Sequence, residues 1–431
     1  MSLSFYGFIM IILVLAAILS KKISPIVSMI AIPSIIVIIM GNAAQLNGYI
    51  ASGVSSVAGT AVMFIFAILF FNMMILAGAF DPIVKTAIKL AGNSPTKIYI
   101  ATLIVAMIGH LDGSGATTFI ITVSAMRPVY QRMKMSMMHL ILLTSFGAGI
   151  MNAIPWGGPT LRVMTVYEAG VQEVFVPMIL PMAAGFLALT GLAVFWGRKA
   201  KQSVVENAQI DVQDEADEDA RFRRPKLVIV NLALIAAAVV IMLTGVLSPT
   251  STMVFAFVLA VVINYPNRED QDELIKRFAP IVLPLTSLTF AAGIFTGILN
   301  GAGLLTAMAE TIADIIPNQA SGFMAILVGF LGVPLSMLFS PDAYYYGILP
   351  TLASAFAQFG LDPIAIGQLS LLGGQMTLGS TMTPLIASSF LLPSLVGIDF
   401  VTYQKKAVPM ACVLGIFMVL VAVITGCVKV F

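Results

Sequence analysis

Apolar runs long enough to cross a bilayer, or nearly so, recur from one end of this chain to the other, with only short polar links between them. The hydrocarbon layer is about 30 Å thick, so a spanning helix needs about 20 mostly apolar residues. Uninterrupted runs lie at 3–20, 25–41, 54–79, 174–197, 227–246, 250–264, 279–300 and 404–430. Charged residues are 10% of the sequence, against about 25% in soluble domains. An all-α polytopic membrane protein follows. The first run lacks a basic leader and a small-residue cleavage site, so it reads as a helix and not a signal peptide. Cys412 and Cys427 share the last run and imply neither a disulfide framework nor a metal site. P-loop, HExxH and CxxC patterns are missing, so ATP-driven transport has no support.

Four further apolar stretches are interrupted. The stretch 96–126 breaks at Asp112-Gly-Ser-Gly115, and 135–170 breaks around Asn152–Pro159. In the second half, 320–352 breaks at Ser340-Pro341-Asp342, and 363–395 breaks at Gly379–Pro384. Backbone that leaves helix geometry at membrane depth must face protein or a watery cavity. Lys97 precedes 96–126, and Arg127, Arg132 and Lys134 follow it. Equal charge at both ends predicts a re-entrant hairpin; the other reading is one kinked span. From Asp112 to Pro155 is 43 residues and from Asp342 to Pro384 is 42. Paired broken helices in two halves point to the binding site of a secondary transporter. The chain divides accordingly into a first repeat (1–200), a charged linker (201–225) and an inverted second repeat (226–431). Each repeat would hold five spans, one hairpin and one amphipathic segment, Asp81–Leu90 or Ala302–Ile316.

Topology follows from the placement of basic residues. With Lys21 and Lys22 in the cytoplasm, every one of the 22 Lys and Arg residues except Arg162 and Lys429 falls on the cytoplasmic side. That assignment gives ten spans, two hairpins, both termini outside and the linker inside, in a multi-pass protein of the inner (plasma) membrane. The linker's six acids between Asp211 and Asp219, flanked by basic clusters, read as a solvated loop.

Arg162 follows Pro155-Trp-Gly-Gly-Pro-Thr160, where a helix must stop and restart. A charge at bilayer depth carries a penalty of about 2.5–3.5 kcal/mol on insertion scales and marks a functional site by default. A restarted helix aims N–H groups and partial positive charge into the gap, and a guanidinium can grip a carboxylate bidentately. Together these describe an anion site; the structural alternative is an Arg162 paired with Asp112 or Asp342. Asp112 and Asp342 hold matching positions and would carry a proton or ligate a cation, or else merely cap half-helices. Gly113, Ser114, Gly115, Thr117 and Thr118 offer close backbone approach and hydroxyls beside Asp112. Asn152, Pro155, Gly157, Gly158, Pro159 and Thr160, at the second break, are substrate-binding candidates beside Arg162. Ser380, Thr381 and Thr383, with Ser388 and Ser389 beyond, suit solute hydroxyls or a desolvated cation. Ser340 and His110 are further coupling candidates, although a lone His beside a hairpin tip is more often a hydrogen-bonded structural residue. Tyr344, Tyr345 and Tyr346 line the site or pack, and Trp156 packs beside the break. The methionines and His139 read as packing.

Three blocks resemble a known family. Leu111–Tyr130 (LDGSGATTFIITVSAMRPVY), Pro155–Met164 (PWGGPTLRVM) and Leu335–Pro350 (LSMLFSPDAYYYGILP) look like signatures of the citrate–divalent-metal:proton symporters, the CitMHS family of the ion transporter superfamily. The resemblance covers most of the chain. It implies uptake of citrate complexed with Mg²⁺, Ca²⁺ or a related ion, driven by protons. It also implies a homodimer with scaffold and transport domains working as an elevator. Asp112, Gly113, Thr117, Thr118, Pro155, Gly157, Gly158, Pro159, Thr160, Arg162, Ser340 and Asp342 fall on the family's motifs. Around Leu378–Ser389 the sequence departs from the family's Ser-Pro-Leu-rich form. Citrate with one divalent cation carries a single negative charge, which one intramembrane Arg matches. The metal, held tentatively by Asp112 and Asp342, would be cargo, and no cofactor is expected. A Na⁺-coupled di- or tricarboxylate transporter of the same architecture is the runner-up; an anion channel or a transport-dead sensor is the reading from another class. An enzyme is not expected, for want of a nucleophile–base pair, and neither is a nucleic-acid partner.

Overall fold

The computed structural model describes residues 2–20, 22–200, 220–314, 321–386 and 388–430. Most of the charged linker lies outside the described residues. Among those described there is no strand.

The first half runs α1 (Leu3–Leu19), α2 (Pro25–Ile39), α3 (Leu46–Leu76), α4 (Asp81–Ala91), α5 (Pro95–Gly109), α6 (Gly115–Arg132), α7 (Met137–Met151), α8 (Gly158–Tyr167), α9 (Val171–Val174) and α10 (Ile179–Ala200). The second half runs α11 (Val228–Thr244), α12 (Pro249–Asn264), α13 (Arg268–Gly301), α14 (Leu304–Ala313), α15 (Ser321–Phe330), α16 (Gly332–Leu338), α17 (Leu349–Ala357), α18 (Pro363–Leu372), α19 (Ser388–Ser394) and α20 (Phe400–Ile424). Ser-Pro and Asp-Pro steps open several of these helices. Ser24 before Pro25, Ser248 before Pro249 and Asp362 before Pro363 each accept a first-turn N–H.

Among the described residues, five segments are long and apolar enough to cross a membrane: Ala43–Leu76, Val171–Ala200, Ala220–Thr244, Arg268–Gly301 and Phe400–Ile424. The other predicted spans are shorter apolar helices (α1, α2, α12) or pairs broken in the middle (α7 with α8, α18 with α19). Helix α3 begins at Leu46, not near residue 54. Its extra turns hold Gly53, which permits a close crossing with α13: a Cβ on Gly297 would lie 2.7 Å from the Gly53 Cα. Periodicity alone does not mark such a polar, small-residue start as helix.

Helices α3 and α13 pack along each other, with α12 against α3 and α2 against α13. A second group forms where α5 packs on α7 and α10, α15 on α18 and α20, and α10 on α20. Helices α5 and α6 pack on each other, joined by the short turn at 110–114.

Two breaks differ from expectation. The stretch 320–352 bends by 62° between α15 and α16, ahead of the break at 339–342. Gly332 there abuts the second broken helix so closely that a Cβ would sit 2.6 Å from the Gly373 carbonyl oxygen. The break in 363–395 opens at Gly373, not Gly379, because α18 stops at Leu372. Gly374 then takes φ +94°, which only glycine adopts cheaply, and Met376 is held at φ +58°.

Candidate functional site

The breaks meet at a cavity of ≈ 300 Å³. The first hairpin tip contributes His110, Asp112, Gly113, Ser114 and Gly115. Gly113 turns the tip at φ +74°. Asp112 Oδ1 accepts the Ser114 N–H at 2.8 Å, and Ser114 Oγ accepts the Thr117 hydroxyl at 3.0 Å. Ser114, not Asp112, is the N-cap of α6, its Oγ accepting from the Thr117 N–H; Asp112 instead closes a turn on the Ser114 N–H while also lining the cavity. Thr118 lies behind the tip, fully buried, its hydroxyl 2.7 Å from the Ser114 carbonyl and 2.8 Å from His110 Nδ1. A hydroxyl that donates to a carbonyl accepts from Nδ1–H, so neutral His110 presents Nε2 as an acceptor. That buried atom has no hydrogen-bond partner among the described residues.

The second break supplies Asn152, Trp156, Gly158, Pro159 and Arg162. Trp156 donates from Nε1 to the Leu111 carbonyl at 2.7 Å and stacks on Phe71 with centroids 4.2 Å apart, tying the break to the hairpin tip. Asn152 donates from Nδ2 to the Met376 carbonyl at 2.8 Å and to Ser380 Oγ at 3.2 Å, joining the breaks of the two halves. Thr160 is buried and donates to the Ala153 carbonyl, so it holds the break and does not face the cavity. Pro155 and Gly157 likewise shape the break without lining it.

Arg162 sits in the first turns of α8. Its Nε and Nη2 both donate to Asp342 Oδ1, at 2.9 and 2.7 Å, and Nη1 donates to the Gly158 carbonyl at 2.8 Å. The side chains are 10% and 15% exposed. Asp342 therefore reaches the cavity through Arg162, and its neighbour Pro341 lines the wall. Ser340, not Asp342, caps the restart, accepting the Ala343 N–H at 3.3 Å. The tyrosines after it are buried: Tyr345 donates to the Gln375 carbonyl at 2.5 Å, and Tyr344 meets Ser370. Tyr344 and Tyr345 anchor this tip on the second broken helix, Tyr346 packs in the cluster formed with α1 and α14, and none of the three lines the cavity.

Met376, Ser380, Thr381, Ile386 and Ser388 close the second half's side. Thr381 is hydrogen-bonded to Ser145, which also accepts from the Tyr403 hydroxyl at 2.7 Å. Thr383 is buried, accepts the Leu385 N–H and does not line the cavity. The wall opposite the polar groups is apolar: Phe64 and Ile68 from α3, Ile281 and Leu285 from α13. The sequence reading had not singled out these four, nor Phe119, Met376, Ser145 or Tyr403; as apolar or lone polar residues within helical runs they carry no local signal. Among the described residues no group of three His, Cys, Asp or Glu side chains could hold a metal ion.

The family model for "Citrate transporter" (CitMHS) matches residues 6–373, ending at the start of the second broken helix's interruption. From Bacillus subtilis (strain 168), a protein named "Citrate transporter" is 35% identical over 425 residues, covering 98% of this chain and 99% of that one. The same organism's "Mg(2+)/citrate complex secondary transporter" is 34% identical over 433 residues, covering 99% of each. Among solved structures, the YdaH transporter of Alcanivorax borkumensis aligns with TM-score 0.61 at 13% identity, over 88% of this chain and 86% of its own. MtrF of Neisseria gonorrhoeae aligns with TM-score 0.59 at 15% identity, over 89% and 85%. At those identities the likeness concerns the fold. The family match and the full-length relatives, all transporters and none an enzyme, place this chain in the citrate transporter family.

Proposed function

We propose that this chain is a proton-coupled symporter that takes up citrate complexed with a divalent cation such as Mg²⁺ or Ca²⁺, and that the cavity around Arg162 is its solute site. The observation that carries this reading is the Arg162–Asp342 pair at the cavity wall. A guanidinium already held by a carboxylate can hold a solute carboxylate in its place. Protonating Asp342 removes its claim on Arg162, which links proton uptake to anion binding. Asp112 and the serines and threonines at the breaks complete the polar side, where metal-bound citrate would present carboxylate, hydroxyl and cation together. The metal is cargo in this reading and would reach the site already complexed with citrate.

The arrangement of helices supports an inverted repeat: α2 on α13 mirrors α12 on α3, and α5 on α7 mirrors α15 on α18. The apolar wall from α3 and α13 supports an elevator, since polar groups carried by the hairpins and broken helices can slide past it without losing partners. The charge distribution supports an orientation in the inner membrane with both termini outside, and the working unit we propose is a homodimer.

Labelled citrate in proteoliposomes under an inward proton gradient tests the reading. Accumulation should require a divalent cation and collapse with the gradient. One observation favours Na⁺ coupling instead: the long hydroxyl-rich break from Gly373 to Ser388 frees carbonyls of the kind that hold Na⁺. Accumulation that follows an imposed Na⁺ gradient and ignores the pH gradient would select that reading.

A further inference from the structure

A second cavity, ≈ 520 Å³, lies away from the solute site, where the α6–α7 link meets α5 and the end of α10. Lys134 and Lys199 line it together with His139, Tyr99, Ser136 and Trp196, and among the described residues no acidic side chain does. Neither lysine has an ion-pair partner among the described residues. Lys134 stands at a left-handed turn, φ +51°, a conformation costly for a non-glycine residue. Lys199 Nζ lies 4.5 Å over the Phe195 ring. The aromatic floor is rigid: His139 stacks on Trp196 with centroids 4.0 Å apart and planes 5° from parallel, and Tyr99 holds His139 Nδ1 at 2.9 Å. Helices α5, α7 and α10 all belong to the group that carries the first hairpin and the first break.

We infer that this cavity binds an anionic phosphate group, and that the source is the headgroup of an anionic lipid of the cytoplasmic leaflet. Two unpaired cations over a fixed aromatic floor, at the end of apolar helices, match the basic pockets between membrane helices that take lipid headgroups. Interfacial Trp and Tyr seat such a group at the depth where phosphates lie. The cytoplasmic placement rests on the orientation proposed above; the phosphate chemistry does not.

Trp156 and Trp196 are the chain's two tryptophans, so W156F leaves Trp196 as a lone reporter inside the cavity. Its emission should change saturably as phosphatidylglycerol replaces phosphatidylcholine in nanodiscs. The added substitutions K134Q and K199Q should weaken the apparent affinity about 30-fold, while K134R and K199R should retain it. A saturable response to inorganic phosphate in phosphatidylcholine discs, lost in K134Q/K199Q, would support the phosphate site and overturn the lipid source. No response to either ligand, or an undiminished response in K134Q/K199Q with an unchanged starting spectrum, would overturn the site. The readout is binding to purified protein, so its failure leaves the transport reading standing, and failed citrate uptake leaves this site standing.

Discussion

Replacing Asp342 by Asn should tighten solute binding. In the wild-type cavity Arg162 spends two N–H groups on one oxygen of Asp342, at 2.9 and 2.7 Å, so an arriving carboxylate must displace a charged partner. Both side chains are largely buried, which makes this unlike an exposed ion pair worth little. A hydrogen bond to a charged group contributes about 1.5–3 kcal/mol, and removing one partner of a buried pair costs about 3–5 kcal/mol. Asn keeps an acceptor and loses the charge, so the lower range applies. The competition relieved is then about 1.5–3 kcal/mol, or about 10- to 150-fold in Kd. Isothermal titration of Mg²⁺–citrate into the purified D342N protein measures it directly. The apo variant should also melt earlier than wild type and recover more of that loss when solute is added. Equal or weaker binding by a folded D342N protein would show that Asp342 only positions Arg162 and does not compete for it, and the coupling scheme built on the pair would fail.

The other perturbations follow the same geometry. R162Q should abolish uptake with the protein still in the membrane, and R162K should lose at least about ten-fold in affinity because an ammonium cannot reproduce the two-pronged grip; uptake assays beside a membrane-expression blot separate these from misfolding. N152A leaves the buried Met376 carbonyl without its donor, which predicts a loss of about 1–3 kcal/mol, visible as a lower melting point and a smaller solute-induced shift. G332A places a Cβ 2.6 Å from the Gly373 oxygen, so the bend and the broken helix must part, at about 1–3 kcal/mol or more, read as loss of monodisperse protein. R221A should change neither melting nor uptake: its pairs with Asp270 and Glu273 sit at an arginine 54% exposed, where solvent and salt screen them.

The hairpin tips and the first break were legible in the sequence because each concentrates glycine, proline and a charge within an apolar stretch. Arg162 and Asp112 stood out for the same reason, and both line the cavity. What stayed hidden has physical causes. Phe64, Ile68, Ile281 and Leu285 form a wall only because two distant helices cross there, and an apolar residue in an apolar helix carries no mark of what it faces. The second break was placed late because Gly373-Gly374 resembles the small-residue pairs that helices use for close packing. Here it does both, since Gly373 meets Gly329, Gly332 and Gly415. Thr118, Thr160 and Thr383 were read as lining residues from their polarity, yet each turns its hydroxyl to local backbone or to a neighbour behind the surface. Short polar side chains bond their own turn readily, so polarity near a break does not by itself identify a ligand.

The apolar wall yields one more prediction from the same pair. An uncompensated charge dragged along Phe64, Ile68, Ile281 and Leu285 would be strongly disfavoured. Empty, the wild-type cavity has Arg162 compensated by Asp342; in the proposed scheme the loaded cavity would have the solute in Asp342's place and a proton on the displaced carboxylate. An Arg162 that is charged and alone should not cross. In D342N the loaded form is still compensated, but the empty form is not, so the empty carrier should stall. Proteoliposomes loaded with unlabelled Mg²⁺–citrate should then exchange it for labelled solute at near wild-type rates, while net accumulation into solute-free vesicles fails. Net uptake by D342N equal to wild type would mean that the empty carrier returns without the pair, and the link between charge compensation and movement would be refuted even if solute binding tightened as expected.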